Sequence, residues 1–330
     1  MTVIRVYRLR WSSKDWPFAK EEFLAGTHNV KFKLVETAAL ADLVVTEKWG
    51  RKDFLKNALN LRRKPTLLWT DEPRYDTCIP SGVAQSHAVP ERMNCFTGDV
   101  FHDIYRFLLY GETLPFVTPA EMESRDDVAP VLALMTYREG SQWSLRRNGV
   151  EHDLSCLRSR WAVWGHRNGV VDVCGRHWPS DSRVIEDSRQ ETGENQFAGW
   201  WERKQQLLKA YRFNFALENT IAPNYVTEKL WDSIRARSLP IYWGQAAVDS
   251  VFPEDSYIDC RAFSGPERLF AYINRMSSAE IAERVNRCIE VYNDAVQSSA
   301  NESSSRKTER LLIERCLSLI GATVDGSADV

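Results

Sequence analysis

The residues best suited to chemistry lie in one stretch, Phe213–Gly244, which reads FNFALENTIAPNYVTEKLWDSIRARSLPIYWG. Apolar residues alternate at its start, which predicts a strand that ends in the polar pair Glu218 and Asn219. Apolar residues four positions apart then predict a helix that begins near Tyr225. A strand, a loop and a helix in this order place polar groups at the carboxyl end of a strand, where α/β proteins bind their ligands.

Glu228 and Lys229 fall in the first turn of this predicted helix. A helix N-terminus offers unpaired N–H groups and a partial positive charge, which suits an anion. A lysine in the first turn opposes the helix dipole, so anion binding explains Lys229 better than stability does. A solvated surface lysine is the alternative. The chain contains neither a Walker loop nor a G-x-G-x-x-G dinucleotide fingerprint.

Three parts of this stretch together resemble the signature of the α-1,3/1,4-fucosyltransferases, glycosyltransferase family 10. They are Glu218-Asn219, the pentapeptide Tyr225–Lys229 and the hexapeptide Leu239–Gly244, in matching order and spacing over about 32 residues. The resemblance implies the GT-B fold, in which two Rossmann-like α/β domains face each other across a cleft. It also implies transfer of L-fucose from GDP-β-L-fucose, with inversion, to O3 or O4 of an N-acetylglucosamine-containing glycan.

The resemblance also implies roles for single residues on the donor side. Asn219 is expected to hydrogen-bond the donor sugar or its phosphate, and the Tyr225 hydroxyl to contact the diphosphate. Glu228 is expected to contact the fucose hydroxyls and to favour a cationic transition state. Lys229 is expected to pair with the phosphates, which helps the GDP group to leave.

Two further donor-side residues have alternatives that remain open. An upstream helix offers Arg158 for a bidentate grip on phosphate oxygens, with Arg160 as its rival. The structural alternative is that Arg158 is a solvated helix residue. Glu218 is either a donor ligand or an acceptor that stabilises the end of the strand.

The general base of such an enzyme is expected from the first domain, just after a strand. The predicted strand Thr66–Trp69 is followed by Asp71, Glu72 and Pro73. Glu72 is the candidate base and Asp71 is its rival, while a turn or capping carboxylate is the structural alternative. The resemblance implies no required cofactor and no metal ligands, so that a divalent metal would be at most stimulatory.

Strands alternate with helices along the whole chain, which predicts parallel sheets covered by helices. A first series of strands is predicted at Val3–Arg10, Lys31–Val35, Leu43–Thr46 and Thr66–Trp69. A second series is predicted at Pro130–Met135, Val170–Val173, Phe213–Leu217, Leu239–Trp243 and Tyr257–Asp259. Helices are predicted between the strands of the second series at Leu154–Gly165, Phe197–Ala210 and Tyr225–Arg237.

The segment Gly111–Asp127, with two prolines and no clear period, is typical of a linker. We therefore predict an acceptor-binding domain over residues 1–125 and a GDP-sugar-binding domain over residues 126–330. Residues 298–305 read as a polar loop. Lys307–Ile320 has a helical apolar pattern, and we expect this final helix to pack back on the first domain.

Composition excludes several classes of protein. The chain has 330 residues and a net charge of −2, which argues against disorder and against a globally basic nucleic-acid binder. No apolar run approaches the roughly 18 residues of a membrane span. Seven cysteines without a C-x-x-C pair argue against a zinc site or a disulfide framework. We expect a short, soluble enzyme of bacterial type, in the cytoplasm or peripheral at the inner membrane, whose partners are GDP-fucose and a glycan.

Three alternative functions stay open at this point. The same site can serve another GDP-sugar, or the chain can be a catalytically silent protein that binds nucleotide sugars or glycans. A nucleic-acid binder that uses a local patch at Arg158–Arg160 is disfavoured, since it predicts steep salt dependence rather than affinity for GDP.

Overall fold

The structure is a computed structural model that describes residues 1–9, 17–18, 22–25, 30–47, 64–76, 90–94, 96–125, 129–185, 199–244 and 246–321. The chain forms two compact units. The first comprises Met1–His102 and Glu302–Val330, and the second comprises Asp103–Asn301. In the described part of the chain, the α-helices are α1 (Pro73–Asp76), α2 (Pro119–Glu123), α3 (Ser155–Arg167), α4 (Trp200–Lys209), α5 (Glu228–Arg235), α6 (Pro266–Ile273), α7 (Ser278–Gln297) and α8 (Ala300–Ile320).

The first unit is built on a six-stranded sheet. Its strands are β1 (Thr2–Leu9), β2 (Glu22–Ala25), β3 (Val30–Leu34), β4 (Leu43–Thr46), β5 (Thr66–Thr70) and β6 (Glu91–Asn94). They follow the order β2-β3-β1-β4-β5-β6, and all neighbours are parallel except β2 and β3. Strands β4 and β5 are buried at every position, as expected for central parallel strands covered on both faces.

Most of the C-terminal helix α8 belongs to the first unit. Its apolar side chains are buried at Leu312, Ile313, Cys316 and Leu317. Arg315 lies 2.5 Å from Glu91 of β6 and 3.0 Å from Asp99, so ion pairs join the helix to the edge strand of the sheet. The helix begins at Ala300, so the prediction of a polar loop over residues 298–305 was wrong.

The second unit contains a five-stranded, fully parallel sheet. Its strands are β7 (Val131–Leu134), β10 (Val171–Cys174), β11 (Phe213–Phe215), β12 (Leu239–Tyr242) and β13 (Ile258–Asp259). They follow the order β10-β7-β11-β12-β13, with Phe213 paired to both Val131 and Leu239. A separate antiparallel hairpin joins β8 (Arg146–Arg147) to β9 (Val150–Glu151). Helices α3, α4 and α5 connect successive strands, as in a Rossmann-like fold.

The predicted domain border near residue 125 moves to residues 102 and 103 in the structure. The segment that reads as a linker is fixed on the second unit by side chains of α7. Asn293 accepts a hydrogen bond from the Leu114 N–H at 2.7 Å, and Asn286 accepts one from the Val117 N–H at 2.8 Å. These contacts join residues 179 and 169 positions apart, so they leave no local pattern in the sequence.

The predicted fold class is confirmed in that both units are α/β with largely parallel sheets. All nine strands predicted from periodicity are present, with ends that differ by up to a few residues. Strands β2, β6, β8 and β9 were not predicted. The arrangement of the two units across a cleft stays a prediction.

Candidate functional site

The hydrogen bonds between β11 and its neighbour β12 continue beyond the end of β11 into the segment that carries the candidate site residues. Beyond the strand, the N–H of Ala216 donates to Ile241 at 2.8 Å, and the N–H of Glu218 donates to Trp243 at 2.9 Å. The chain then loops from Asn219 to Thr227, and helix α5 begins at Glu228. The predicted start near Tyr225 was three residues early, because Thr227 has the extended backbone of an N-cap residue.

Glu218 is fully buried and joins both ends of this loop. Its carboxylate accepts a 2.7 Å hydrogen bond from the N–H of Thr227 and bonds of 3.0 and 2.9 Å from the Thr227 hydroxyl. Tyr242 of β12 donates from its hydroxyl at 3.5 Å. Glu218 is therefore an acceptor that fixes the strand end and the helix start.

Lys229 extends back from the first turn of α5 towards this carboxylate. Its Nζ lies 2.7 Å from the Thr227 hydroxyl oxygen and 3.3 Å from Glu218 Oε2. Its side chain is 25% exposed, so the ammonium is partly open to solvent. Glu218 and Thr227 thus hold a positive charge at the N-terminus of α5, where the helix dipole also favours an anion.

Glu228 lies between two ammonium groups. Its Oε1 is 3.7 Å from Lys229 Nζ and 3.8 Å from Lys204 Nζ. Burial acts to raise the pKa of Glu228, but the charges of Lys229 and Lys204, together with hydrogen bonds from its own backbone and from Thr227, lower the pKa to about 2. Glu228 is therefore an ionised carboxylate at neutral pH, and its side chain is 26% exposed.

Lys204 on α4 and Asp232 on α5 form a pair that the sequence analysis missed. The two charged atoms are 2.5 Å apart, and both residues are buried. Burial raises the pKa of Asp232, although Lys204 opposes that shift. One signal was available, since Asp232 follows Glu228 by four residues and therefore lies on the same helix face. The partner on α4 had no local signal.

Arg158 and Asn219 meet at the same strand end. The N–H of Leu154 and the hydroxyl of Ser155 donate to the Asn219 carbonyl at 2.9 and 3.2 Å, which positions the start of α3. From the next turn of this helix, Arg158 Nη1 donates to the Leu217 carbonyl at 2.9 Å. Arg158 is buried, whereas its rival Arg160 is exposed.

Tyr225 is 2% exposed, and its N–H donates to the Ala222 carbonyl at 3.1 Å, which makes a turn in the loop. Asn224 before it has a left-handed backbone, with φ of 54°. The contact between the Tyr225 hydroxyl and a diphosphate stays a prediction. The structure thus gathers Arg158, Asn219, Glu228 and Lys229 around one strand end and one helix start.

The neighbouring strand ends contribute loops to the same edge of the sheet. The N–H of Tyr137, after β7, donates to the Arg176 carbonyl after β10 at 2.9 Å. The N–H of Arg138 donates to the Ser159 hydroxyl of α3 at 2.9 Å. Gly175 has a φ of 106°, and a Cβ there would lie 2.2 Å from the Met135 carbonyl oxygen. Only glycine fits where these two loops approach so closely.

Glu72 lies in the first unit, directly after strand β5. A short turn holds it, since its N–H donates to the Thr70 hydroxyl at 3.0 Å and the same hydroxyl donates to its carbonyl at 3.3 Å. Glu72 is exposed and Asp71 is half-buried. Both carboxylates are therefore at the carboxyl end of a parallel strand, and the assignment of either as a base stays a prediction.

Two further features of the described residues concern metal binding and membrane insertion. Within those residues, no group of three or more His, Cys, Asp or Glu side chains is placed to hold a metal ion. Nor does the described part of the chain contain a helix long and apolar enough to cross a membrane.

The family model for the C-terminal part of glycosyltransferase family 10 (fucosyltransferase) matches residues 187–284, which contain the strand end and helix start described above. Residues 187–284 of the chain belong to glycosyltransferase family 10. The family-10 segment includes Lys204, Glu218, Asn219, Glu228 and Lys229, whereas Arg158 and Glu72 lie outside it.

Relatives of this chain include proteins of a plant, an animal and a bacterium. An alpha-(1,4)-fucosyltransferase of Arabidopsis thaliana is 35% identical over 88 residues, which cover 27% of this chain and 22% of that protein. GDP-fucose protein O-fucosyltransferase 3 of Xenopus laevis is 37% identical over 71 residues, 21% of this chain and 15% of that protein. The alpha-(1,3)-fucosyltransferase FucT of Helicobacter pylori is 36% identical over 70 residues, again 21% and 15%. The matches span less than a quarter of each relative.

Among solved structures, one of an alpha1,3-fucosyltransferase with GDP is similar to this chain, and the alignment covers 98% of this chain and 92% of the solved chain. Its sequence identity is 14% and its TM-score is 0.48.

Proposed function

We propose that this chain is an inverting fucosyltransferase. It moves L-fucose from GDP-β-L-fucose to O3 or O4 of an N-acetylglucosamine-containing glycan, and O3 is the preferred position. The observation that carries the proposal is the ionised Glu228 next to Lys229 at the start of α5, inside a family-10 domain. Curated relatives with this domain are named fucosyltransferases, and one is named for GDP-fucose.

The reaction breaks the bond between fucose C1 and the β-phosphate oxygen of GDP while the acceptor hydroxyl oxygen bonds to C1 from the opposite side. The acceptor proton goes to a carboxylate, for which Glu72 is the candidate and Asp71 its rival. The leaving GDP keeps the bonding electron pair and therefore gains negative charge. Lys229, Arg158 and the N-terminus of α5 are the groups that stabilise this charge.

Positive charge also develops on the sugar ring as the bond to GDP breaks. A carboxylate that stays ionised stabilises such a cation, and the low pKa of Glu228 keeps it ionised at every pH at which the enzyme would work. In this mechanism Asn219 and Tyr225 orient the donor. No step requires a metal ion or another cofactor.

A second candidate differs only in the acceptor. The similarity to a protein named GDP-fucose protein O-fucosyltransferase 3 favours a hydroxyl of a protein as the alternative to a glycan. In both versions, the donor side of the site is the same.

The proposal is tested by GDP release from GDP-fucose, measured with no acceptor, with N-acetylglucosamine-containing glycans and with unfolded and folded proteins. GDP-mannose serves as the matched donor control. Acceptor-dependent release from GDP-fucose is expected, and the acceptor class that raises the rate distinguishes the two candidates. Release from GDP-mannose alone would assign the site to another GDP-sugar. Binding of GDP-fucose without turnover on any acceptor would instead support a silent binding protein.

A further inference from the structure

Lys204, a buried lysine on α4, lies close to Glu228 on α5, the carboxylate that contacts the donor sugar in the proposed mechanism. Lys204 is 8% exposed, and its Nζ lies 2.5 Å from Asp232 Oδ2 and 3.8 Å from Glu228 Oε1. Glu228 and Asp232 are one helical turn apart on α5. Two carboxylates at this spacing repel each other, and Lys204 lies where it attracts both.

Five side chains of alternating charge form a continuous row of ion pairs at the start of α5. It runs from Glu218 to Lys229 (3.3 Å), from Lys229 to Glu228 (3.7 Å), from Glu228 to Lys204 (3.8 Å) and from Lys204 to Asp232 (2.5 Å). The two ends are fully buried. Glu228 lies in the middle of this row, and it is the carboxylate among the three that is partly exposed to solvent.

Stability alone explains Lys204 poorly. A buried ion pair contributes little net stability compared with apolar side chains of the same volume, because both charges lose their hydration. Asp232 already neutralises Lys204 at contact distance, so the approach to Glu228 is not needed to balance the lysine. What the second contact does is restrict Glu228. The Lys204 side chain is flexible, but its ion pair with Asp232 fixes the position of the ammonium group.

We propose that Lys204 is a positioning residue for fucosyl transfer: held by Asp232, it fixes the Glu228 carboxylate in the orientation in which Glu228 meets the donor sugar. This inference rests on the proposed function. A positioning role predicts different effects on the binding of GDP-fucose and of GDP, whereas a purely structural lysine would affect both alike. Because Glu228 meets the sugar while the phosphates are met by other groups, loss of Lys204 should affect GDP-fucose and spare GDP.

The test measures the affinities of GDP-fucose and GDP by titration calorimetry, together with kcat and KM for transfer. Lys204→Met should weaken GDP-fucose binding or lower kcat by about 10- to 100-fold, the effect expected for loss of a close charged partner. GDP affinity should change less than about 3-fold. Lys204→Arg keeps the charge and should restore most of the loss. Lys209→Met, at an exposed lysine on the same helix, is the matched control and should behave like the native chain.

Lys204→Met leaves Asp232 buried without its ion pair, so the variant can fail to fold. The double variant Lys204→Met/Asp232→Asn removes both charges, so it leaves no unpaired buried charge and allows the same affinities and rates to be measured. In a Glu228→Gln background, Lys204→Met should cause no further loss, since the lysine acts through Glu228.

The outcomes separate this inference from the function on which it rests. A folded double variant with native kcat and native GDP-fucose affinity would overturn the positioning role and leave the transferase proposal intact. Equal losses for GDP and GDP-fucose would also overturn it, because Lys204 would then only hold the fold together. A native chain that does not bind GDP-fucose would overturn the proposed function and this inference with it.

Discussion

The two regions that carry the proposed chemistry are built very differently. On the proposed donor side, the buried carboxylate of Glu218, the hydroxyl of Thr227 and two lysines fix the charged groups at the start of α5. On the other side, Glu72 is exposed on a turn held by two hydrogen bonds to Thr70. The comparison indicates that the charged groups at the start of α5 are held in place before any ligand binds, whereas the backbone of Glu72 is positioned by the hydroxyl of Thr70.

The largest effect is expected at Glu72. Glu72→Gln should lower acceptor-dependent transfer by about 10²- to 10⁴-fold, because a general base contributes that much. GDP-fucose affinity should stay unchanged, since the donor side does not depend on Glu72. Transfer rates and calorimetry check both statements. Asp71→Asn is the matched control; if it abolishes transfer while Glu72→Gln does not, the base is Asp71.

The next effect concerns the stability of the donor side. Glu218→Ala should lower the free energy of unfolding of the second unit by about 3–5 kcal/mol, because it leaves Lys229 and the Thr227 N–H without their buried acceptor. Urea unfolding followed by Trp fluorescence measures the change. Glu290→Ala, at an exposed position on α7, should change stability by less than about 0.5 kcal/mol. Equal effects of the two variants would contradict the role given to Glu218.

The low pKa of Glu228 predicts how the stability of the fold depends on pH in acid. Its pKa is about 2 in the folded chain and 4.5 in the reference state, so its ionisation stabilises the fold above pH 4.5 and this contribution is lost as pH falls towards 2. Between pH 7 and pH 3 the loss should be about 2 kcal/mol. Glu228→Gln should lack this component, which unfolding curves at both pH values can test. An unchanged pH dependence in the variant would mean that the two lysines do not hold the carboxylate ionised.

The smallest effect is expected for the two arginines of α3. Arg158→Lys should weaken GDP binding by about tenfold, the change expected when one charged hydrogen bond is lost. Arg160→Lys should leave GDP affinity unchanged, because Arg160 is exposed. Calorimetric titration with GDP compares them. The opposite ranking would show that Arg160 is the phosphate ligand.

The sequence predicted the local parts of this picture and missed the non-local parts. Alternating and four-residue apolar patterns located β11, α5 and β12, because such patterns depend only on neighbours in the chain. The domain border was misplaced because Asn286 and Asn293 bind the backbone of a segment far away in sequence. The polar residues from Asn301 to Ser305 read as a loop, yet α8 includes them, and the side chain of Asn301 donates to the carbonyls of Tyr105 and Arg106.

The candidate site divides in the same way. The spacing of Asn219, Glu228 and Lys229 was visible because they share one strand, loop and helix. The role of Glu218 as a buried acceptor stayed open, because burial depends on how β12 and the loop pack around it. Lys204 was not foreseen at all, since only the packing of α4 against α5 brings it to Asp232 and Glu228.

The most direct measurement is the structure of the product. The chain is incubated with GDP-fucose and an N-acetylglucosamine-containing glycan, the product is detected by mass spectrometry, and the configuration at fucose C1 is read by NMR. The account predicts an α-linked fucoside formed from the β-linked donor, with one GDP released for each product. A β-linked product would contradict inversion, and intact GDP-fucose with every glycan and protein acceptor would contradict fucosyl transfer itself.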